Sequence, residues 1–318
     1  MEKMRTAVIG AGYLGRFHAQ KYAVVERSQL IAIVDVNSEN AGRVAAQCGT
    51  EALSDYRDLL GKVDAVSVVT PTPLHREIAG AFLEAGAHVL VEKPITVSVE
   101  EASELIAIAG RRRRVLQVGH LERFNSAILA LDGILTVPRF VESHRLAPFK
   151  QRGTDVNVVL DLMIHDIDII QNIVHSPIAS IDAVGSRVFS DELDIANARL
   201  RFENGCVANT TASRVSLKTE RKLRLFQDDA YVSLDLHQKI MTLIRKGNGV
   251  GADGLPQVSI DERSFGDGDA LRSEIEAFLE AAATGGTPVV SGEDGRRALA
   301  TAIQITEQVG ASLKSAAR

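Results

Sequence analysis

Thr6-Ala7-Val8-Ile9-Gly10-Ala11-Gly12-Tyr13-Leu14-Gly15, answered by Asp35 at the end of Leu30-Ile31-Ala32-Ile33-Val34, is the stretch on which the fold turns. A short apolar run, a G-x-G-x-x-G turn and an amphipathic segment read as strand, tight turn and helix. Gly10, Gly12 and Gly15 lack the side chains that would keep backbone from a pyrophosphate, and the helix N-terminus offers free N–H groups to it. Tyr13 and Leu14 fall inside that turn. Asp35 then stands where a carboxylate accepts from the adenosine ribose hydroxyls and repels a 2′-phosphate. Val36 and Asn37 follow with no arginine directly after, so NAD is expected over NADP.

Working outward, Ala65–Val69, His88–Val91 and Val115–Val118 repeat the pattern of continuous apolar strands separated by amphipathic helices. Strands apolar on both faces belong to a parallel sheet covered by helices on each side. The expectation is an α/β chain: an N-terminal Rossmann doubly wound parallel sheet over residues 1–120, then an α+β domain over 121–318 with a large open, mainly antiparallel sheet. In the second half the pattern predicts helices over Phe124–Leu135 and Asp155–His175, a strand over Pro138–Leu146 and a β-rich stretch from Ile178 to about Leu243. A glycine-rich loop is expected over Lys246–Asp261, before helices near Asp269–Ala282 and Glu293–Leu313.

The bulk properties narrow the partners. In 318 residues the net charge is −5, which gives no electrostatic reason to expect nucleic acid or an anionic membrane. The N-terminus runs almost directly into the first strand, and no apolar stretch nears the roughly 20 residues that span a bilayer. Cys48 and Cys206 form neither a metal-ligand pattern nor a C-x-x-C pair. A cytoplasmic protein with a small-molecule substrate, NAD and no metal is the expectation. The run Arg111-Arg112-Arg113-Arg114 ends a predicted helix, where cations complement the dipole. Apolar and small residues on both faces of Ala196–Phe202 and Cys206–Ala212 point to subunit pairing, as a homodimer or homotetramer.

Three more motifs join the glycine loop and its His18: Thr70-Pro71-Thr72-Pro73-Leu74-His75, Val91-Glu92-Lys93-Pro94 and Asp161-Leu162-Met163-Ile164-His165. Together and in this order they resemble the glucose-fructose oxidoreductase and inositol dehydrogenase family, Gfo/Idh/MocA. Thr70, Pro71, Glu92 and Lys93 fall at the carboxyl ends of predicted parallel strands, the edge where open α/β sheets bind ligands. With His75 they are expected at the cofactor. Asp161 and His165, four apart on a predicted helix, share a face.

The resemblance implies that Lys93 contacts substrate and cofactor and that His165 is an acid or base. As catalytic residues Lys93, Asp161 and His165 would then oxidise a secondary hydroxyl. Lys93 as the base, with a depressed pKa, stays open. The run before Asp161 departs from the glycines usual in the family, so the substrate end is expected to be specialised. Arg145, Lys150 and Arg152 stand there, and such cations suit a phosphate or diphosphate. Substrate contacts are expected from Lys93, Arg123, Arg145, Arg152, Asp155, Asp161 and His165. The stretch looks like the subgroup of UDP-N-acetylglucosamine 3-dehydrogenases, which supplies a 3-keto sugar for amination in lipid A synthesis. The alternatives are an inositol or aldose dehydrogenase or reductase, and a regulator sensing NAD or a sugar without turnover.

Overall fold

In a computed structural model, residues 3–150, 156–250, 256–266 and 268–316 are described. The chain divides into two compact units. One holds Met1–Phe124 with Asp269–Leu299, the other Asn125–Gly268 with Ala300–Arg318.

In the first unit the order is β1 (Met4–Ile9), α1 (Tyr13–Tyr22), β2 (Ser28–Val34), α2 (Ser38–Cys48), β3 (Glu51–Leu53), β4 (Ala65–Val68), α3 (His75–Glu84), β5 (His88–Glu92), α4 (Val99–Arg112) and β6 (Leu116–Gly119). The six strands lie in the order β3-β2-β1-β4-β5-β6, and every pair is parallel. That order reverses direction beside β1, and the crevice at such a switch point takes the ligand. Helix ends are set locally. Asn37 and Ser98 cap α2 and α4 by accepting from Asn40 N–H and Glu101 N–H, and Gly49 closes α2 in the left-handed region at φ 66°.

The second unit begins with the short helix α5 (Ser126–Leu129) and β7 (Phe140–Leu146). A π-helical turn, Val159–Met163, then leads into α6 (Ile164–Val174). Strands β8 (Ile178–Ser186), β9 (Ile195–Phe202), β10 (Val207–Ser213), β11 (Glu220–Phe226), β12 (Ala230–Asp235), β13 (Ile240–Val250) and β14 (Pro256–Ser264) follow. They join β7 in an eight-stranded sheet ordered β14-β13-β12-β11-β7-β10-β9-β8. Its pairs are antiparallel except β10 with β7. Alternation such as that of β9, with Ala196, Ala198 and Leu200 buried and Ile195, Asn197 and Arg199 half-exposed, gives the sheet one core face and one open face.

Three sequence expectations change. Of the segment read as a loop over Lys246–Asp261, residues 246–250 are instead the end of β13 and 256–261 are most of β14, while 251–255 lie outside the described residues. This pair is held by backbone hydrogen bonding, with Val258 and Ile260 exposed, so no hydrophobic pattern marks it. The helix expected over Phe124–Leu135 shrinks to α5. The division into 1–120 and 121–318 also shifts: α7 (Ala270–Thr284) and the first residues of α8 (Gly292–Ala316) belong with the N-terminal unit. There Ile275, Phe278 and Leu279 share one core with Val8, Tyr22, Ile33 and Leu90.

Candidate active site

The candidate residues fall on both units. In the first unit, β1 runs into Gly10, whose φ of +103° and closeness to the Val69 carbonyl exclude any side chain. A Cβ on Gly15 would strike the Gly10 carbonyl, whereas one on Gly12 would meet nothing within 4 Å. That open space lies at the start of α1. The helix has no side-chain cap and no acidic residue in its first turn, so its leading N–H groups suit an anion. A cavity of about 270 Å³ beside it is lined by Ala11, Gly12, Tyr13, Arg16, Asn40 and Arg43. Tyr13 and Leu14 stand exposed next to it. Asp35 accepts from Ala11 N–H at 2.6 Å and Asn37 N–H at 2.8 Å, which fixes its carboxylate against the glycine turn. These features fit a dinucleotide.

The carboxyl edge of β4 and β5 completes this half. The buried Thr70 Oγ1 has no hydrogen-bond partner, leaving a polar atom at the ligand edge. His75, expected at the cofactor, has another place. Its ring is buried, with Nε2 2.8 Å from the Thr70 carbonyl and Nδ1 2.9 Å from the Pro94 carbonyl, and burial holds its pKa below the ordinary value. It sits between the Thr70 loop and the Lys93 loop, and the single N–H of the neutral ring donates to one of the two carbonyls. The Glu92 carboxylate is likewise engaged within the protein, by His18 Nε2 at 3.1 Å and Lys93 N–H at 3.2 Å.

Arg123, expected at the substrate, is 5% exposed, and its charge helps hold Asp294 at the start of α8 ionised.

In the second unit Asn157 Oδ1 accepts from Val159 and Leu160 N–H at 3.0 and 3.1 Å, starting the π turn that carries Asp161. His165 lies in the first turn of α6. Both residues are half-buried on a segment whose other face buries Met163, Ile164 and Ile167. A π turn places an extra residue in the helical ladder, a feature frequent at functional sites. Arg214 secures the same entry by donating to the Val156 and Leu193 carbonyls.

Arg145 departs from expectation. Its Nε and Nη2 each donate to Asp166 at 2.9 Å, with both side chains under 5% exposed, so this pair ties β7 to α6. Arg152 and Asp155 lie outside the described residues.

Sequence reasoning missed Ser67 and Tyr22, which reach His18 through hydrogen bonds, and Glu274, a fully buried carboxyl whose oxygens have no hydrogen-bond partner. Ser67 carried a signal, as the polar residue in Ala65-Val66-Ser67-Val68. Among the described residues no group of three or more His, Cys, Asp or Glu is placed to hold a metal, and no helix is long and apolar enough to cross a membrane.

A parallel sheet with this switch point, an open glycine turn, a ribose-ready aspartate and a second α+β unit define a dinucleotide-dependent oxidoreductase. Residues 4–120 match the family model described as oxidoreductase family, NAD-binding Rossmann fold, and residues 131–233 match the GFO/IDH/MocA C-terminal domain. The chain belongs to the Gfo/Idh/MocA oxidoreductase family, whose N-terminal domain binds NAD. It is 42% identical over 315 residues to UDP-N-acetylglucosamine 3-dehydrogenase of Acidithiobacillus ferrooxidans, covering 99% of this chain and 100% of that protein. A solved structure of that enzyme superposes with a TM-score of 0.92, covering 98% of this chain and 99% of the other. Myo-inositol 2-dehydrogenase of Thermotoga maritima is 25% identical, with 93% of each chain covered.

Proposed function

We propose that this enzyme oxidises the 3-hydroxyl of UDP-N-acetylglucosamine to the 3-keto sugar, with NAD as acceptor, in the cytoplasm and as a homodimer or homotetramer. The observation that carries the reading is end-to-end identity of 42% with an enzyme of that activity, against 25% with an inositol dehydrogenase. The product would feed an amination leading to lipid A precursors.

When bound, NAD supplies the hydride acceptor. His165 takes the proton from the substrate hydroxyl, a task suited to imidazole because its ordinary pKa lies near 6.5. Asp161 orients that ring or a neighbouring hydroxyl from the π turn. Lys93 steadies the oxygen as negative charge develops on it. Gly10, Gly12, Gly15, Tyr13, Leu14, Asp35, Thr70 and Pro71 hold the dinucleotide.

The test is NADH formation at 340 nm with UDP-N-acetylglucosamine, inositol or free N-acetylglucosamine, in the presence of a carbonyl trap. NADH from the nucleotide sugar alone is expected. Activity on inositol instead would discard the substrate, and silence on all three would favour the sensing regulator. His165→Asn is expected to bind NAD normally and lose turnover; near-normal turnover removes His165 from the chemistry.

A further inference from the structure

Four side chains of the N-terminal unit form one line that runs out of the core: Tyr22 on α1, Ser67 on β4, His18 on α1 and Glu92, 14% exposed, at the end of β5. Tyr22 Oη lies 2.9 Å from Ser67 Oγ, Ser67 Oγ 3.1 Å from His18 Nδ1, and His18 Nε2 3.1 Å from Glu92 Oε1. Tyr22, Ser67 and His18 are at most 1% exposed. Only one direction gives every buried hydrogen an acceptor. Tyr22 O–H donates to Ser67, Ser67 O–H donates to His18 Nδ1, and His18 Nε2–H donates to Glu92. The reverse leaves the phenol hydrogen without an acceptor in the core, a state buried polar groups avoid. Burial also pushes the Tyr22 phenol up, so it remains a donor.

The line ends on a carboxylate with little freedom. Its other oxygen accepts from Lys93 N–H, and Gly119 leaves it room, since a Cβ there would sit 3.0 Å from the Glu92 carboxyl. Burial pushes Glu92 up; the His18 hydrogen bond, the charge that His18 carries when protonated, the Lys93 charge and the Lys93 N–H together hold it below its ordinary value. On the opposite side, burial and the charge of Glu92 push the Glu274 carboxyl on α7 well up. The two carboxyls are thus driven in opposite directions, Glu274 up and Glu92 down. Among the described residues, the titratable groups that interact with Glu92 include His18 on α1, Lys93 beside it, Glu274 on α7 and the more distant His75 on α3.

We propose that His18, Ser67 and Tyr22 are positioning residues for the dehydrogenase reaction: their chain fixes the Glu92 carboxylate in place next to Lys93, where its negative charge favours the lysine cation. This rests on the dehydrogenase reading and extends it to the division of labour, with the lysine steadying the oxygen and the proton passing to another group. Removing the anion beside Lys93 lowers the pH at which it loses its proton.

The experiment follows Lys93 directly, so it does not require the substrate to be known. Purified full-length enzyme is labelled with acetic anhydride from pH 7 to 11, and acetylation of Lys93 is read by mass spectrometry. Glu92→Gln and His18→Ala are expected to move the labelling midpoint down by about one pH unit. The alkaline limb of kcat/KM should move with it. His18→Gln, which returns an N–H donor, should restore most of the shift, and Ser67→Ala should produce part of it. If His18→Ala does not fold, Glu92→Gln and Ser67→Ala carry the test. An unchanged Lys93 midpoint in the folded variants overturns the proposal, even where kcat falls. Failure of the wild-type enzyme to oxidise UDP-N-acetylglucosamine overturns the substrate and leaves the labelling result to stand on its own.

Discussion

His88 opens β5 with 7% exposure, and Val115 N–H donates to its Nδ1 at 3.0 Å, so the proton of the neutral ring sits on Nε2. Burial, aided by the charge of Arg114, pushes its pKa down to about 4. The folded state thus prefers the neutral ring more than the unfolded chain does, where histidine titrates near 6.5. Stability from this preference is complete above the unfolded value and falls as pH drops towards the folded one, by about 3 kcal/mol across the window. Replacing His88 with Asn keeps an acceptor for Val115 and should flatten that decline; urea midpoints at pH 7.5 and 4.5 for both proteins check it. An equal decline in the variant assigns the pH dependence elsewhere. At this scale the sequence was legible where a motif fixes local backbone, as in the glycine turn at Gly10 with the Asp35 carboxylate against it. It was silent where partners come from distant segments. Nothing in the stretch around Glu274 announces a buried carboxyl facing Glu92, and nothing in β7 announces that Arg145 belongs to Asp166.

The Arg145–Asp166 pair belongs to the scale of elements, because it joins β7 to the helix that carries His165. Asp166→Ala takes the carboxylate away from a buried guanidinium and is expected to destabilise the enzyme by about 3–5 kcal/mol in urea denaturation. The double change Arg145→Met with Asp166→Leu removes both charges and should recover most of that loss. If the double variant is as unstable as the single one, packing of the two side chains and not the uncompensated charge sets the cost. Elements with a two-sided or one-sided hydrophobic pattern were readable: β1, β2, β4 and β5 from continuous apolar runs, α6 from Ile164, Ile167 and Ile170. The π turn was not, because one extra residue in a helical ladder leaves apolar spacing almost unchanged. β14 was not either, since its pairing with β13 rests on backbone groups that every sequence possesses.

At the scale of the whole molecule, the N-terminal unit is not continuous in sequence. Ile275, Phe278, Leu279 and Ala281 of α7 sit in the same core as Val8, Ala19, Tyr22 and Val25. Asp269 meets Lys21, and Glu280 meets Arg27, around that core. Strand and helix alternation ends near Gly119, which is why a boundary there was legible and the return of α7 was not: an amphipathic helix shows that it has an apolar face, not which core takes it. A fragment of residues 1–124 therefore leaves the surface that α7 covers open to water. Burying the Ile275, Phe278 and Leu279 side chains is worth about 1.5–3 kcal/mol each, comparable to the whole stability of a small domain. That fragment is expected to bind 8-anilinonaphthalene-1-sulfonate, to lack a cooperative thermal transition and to bind NAD weakly. Joining 269–299 to it through a flexible linker should restore the transition and NAD binding together. A cooperative, NAD-binding 1–124 would show instead that α7 is dispensable to the nucleotide-binding core.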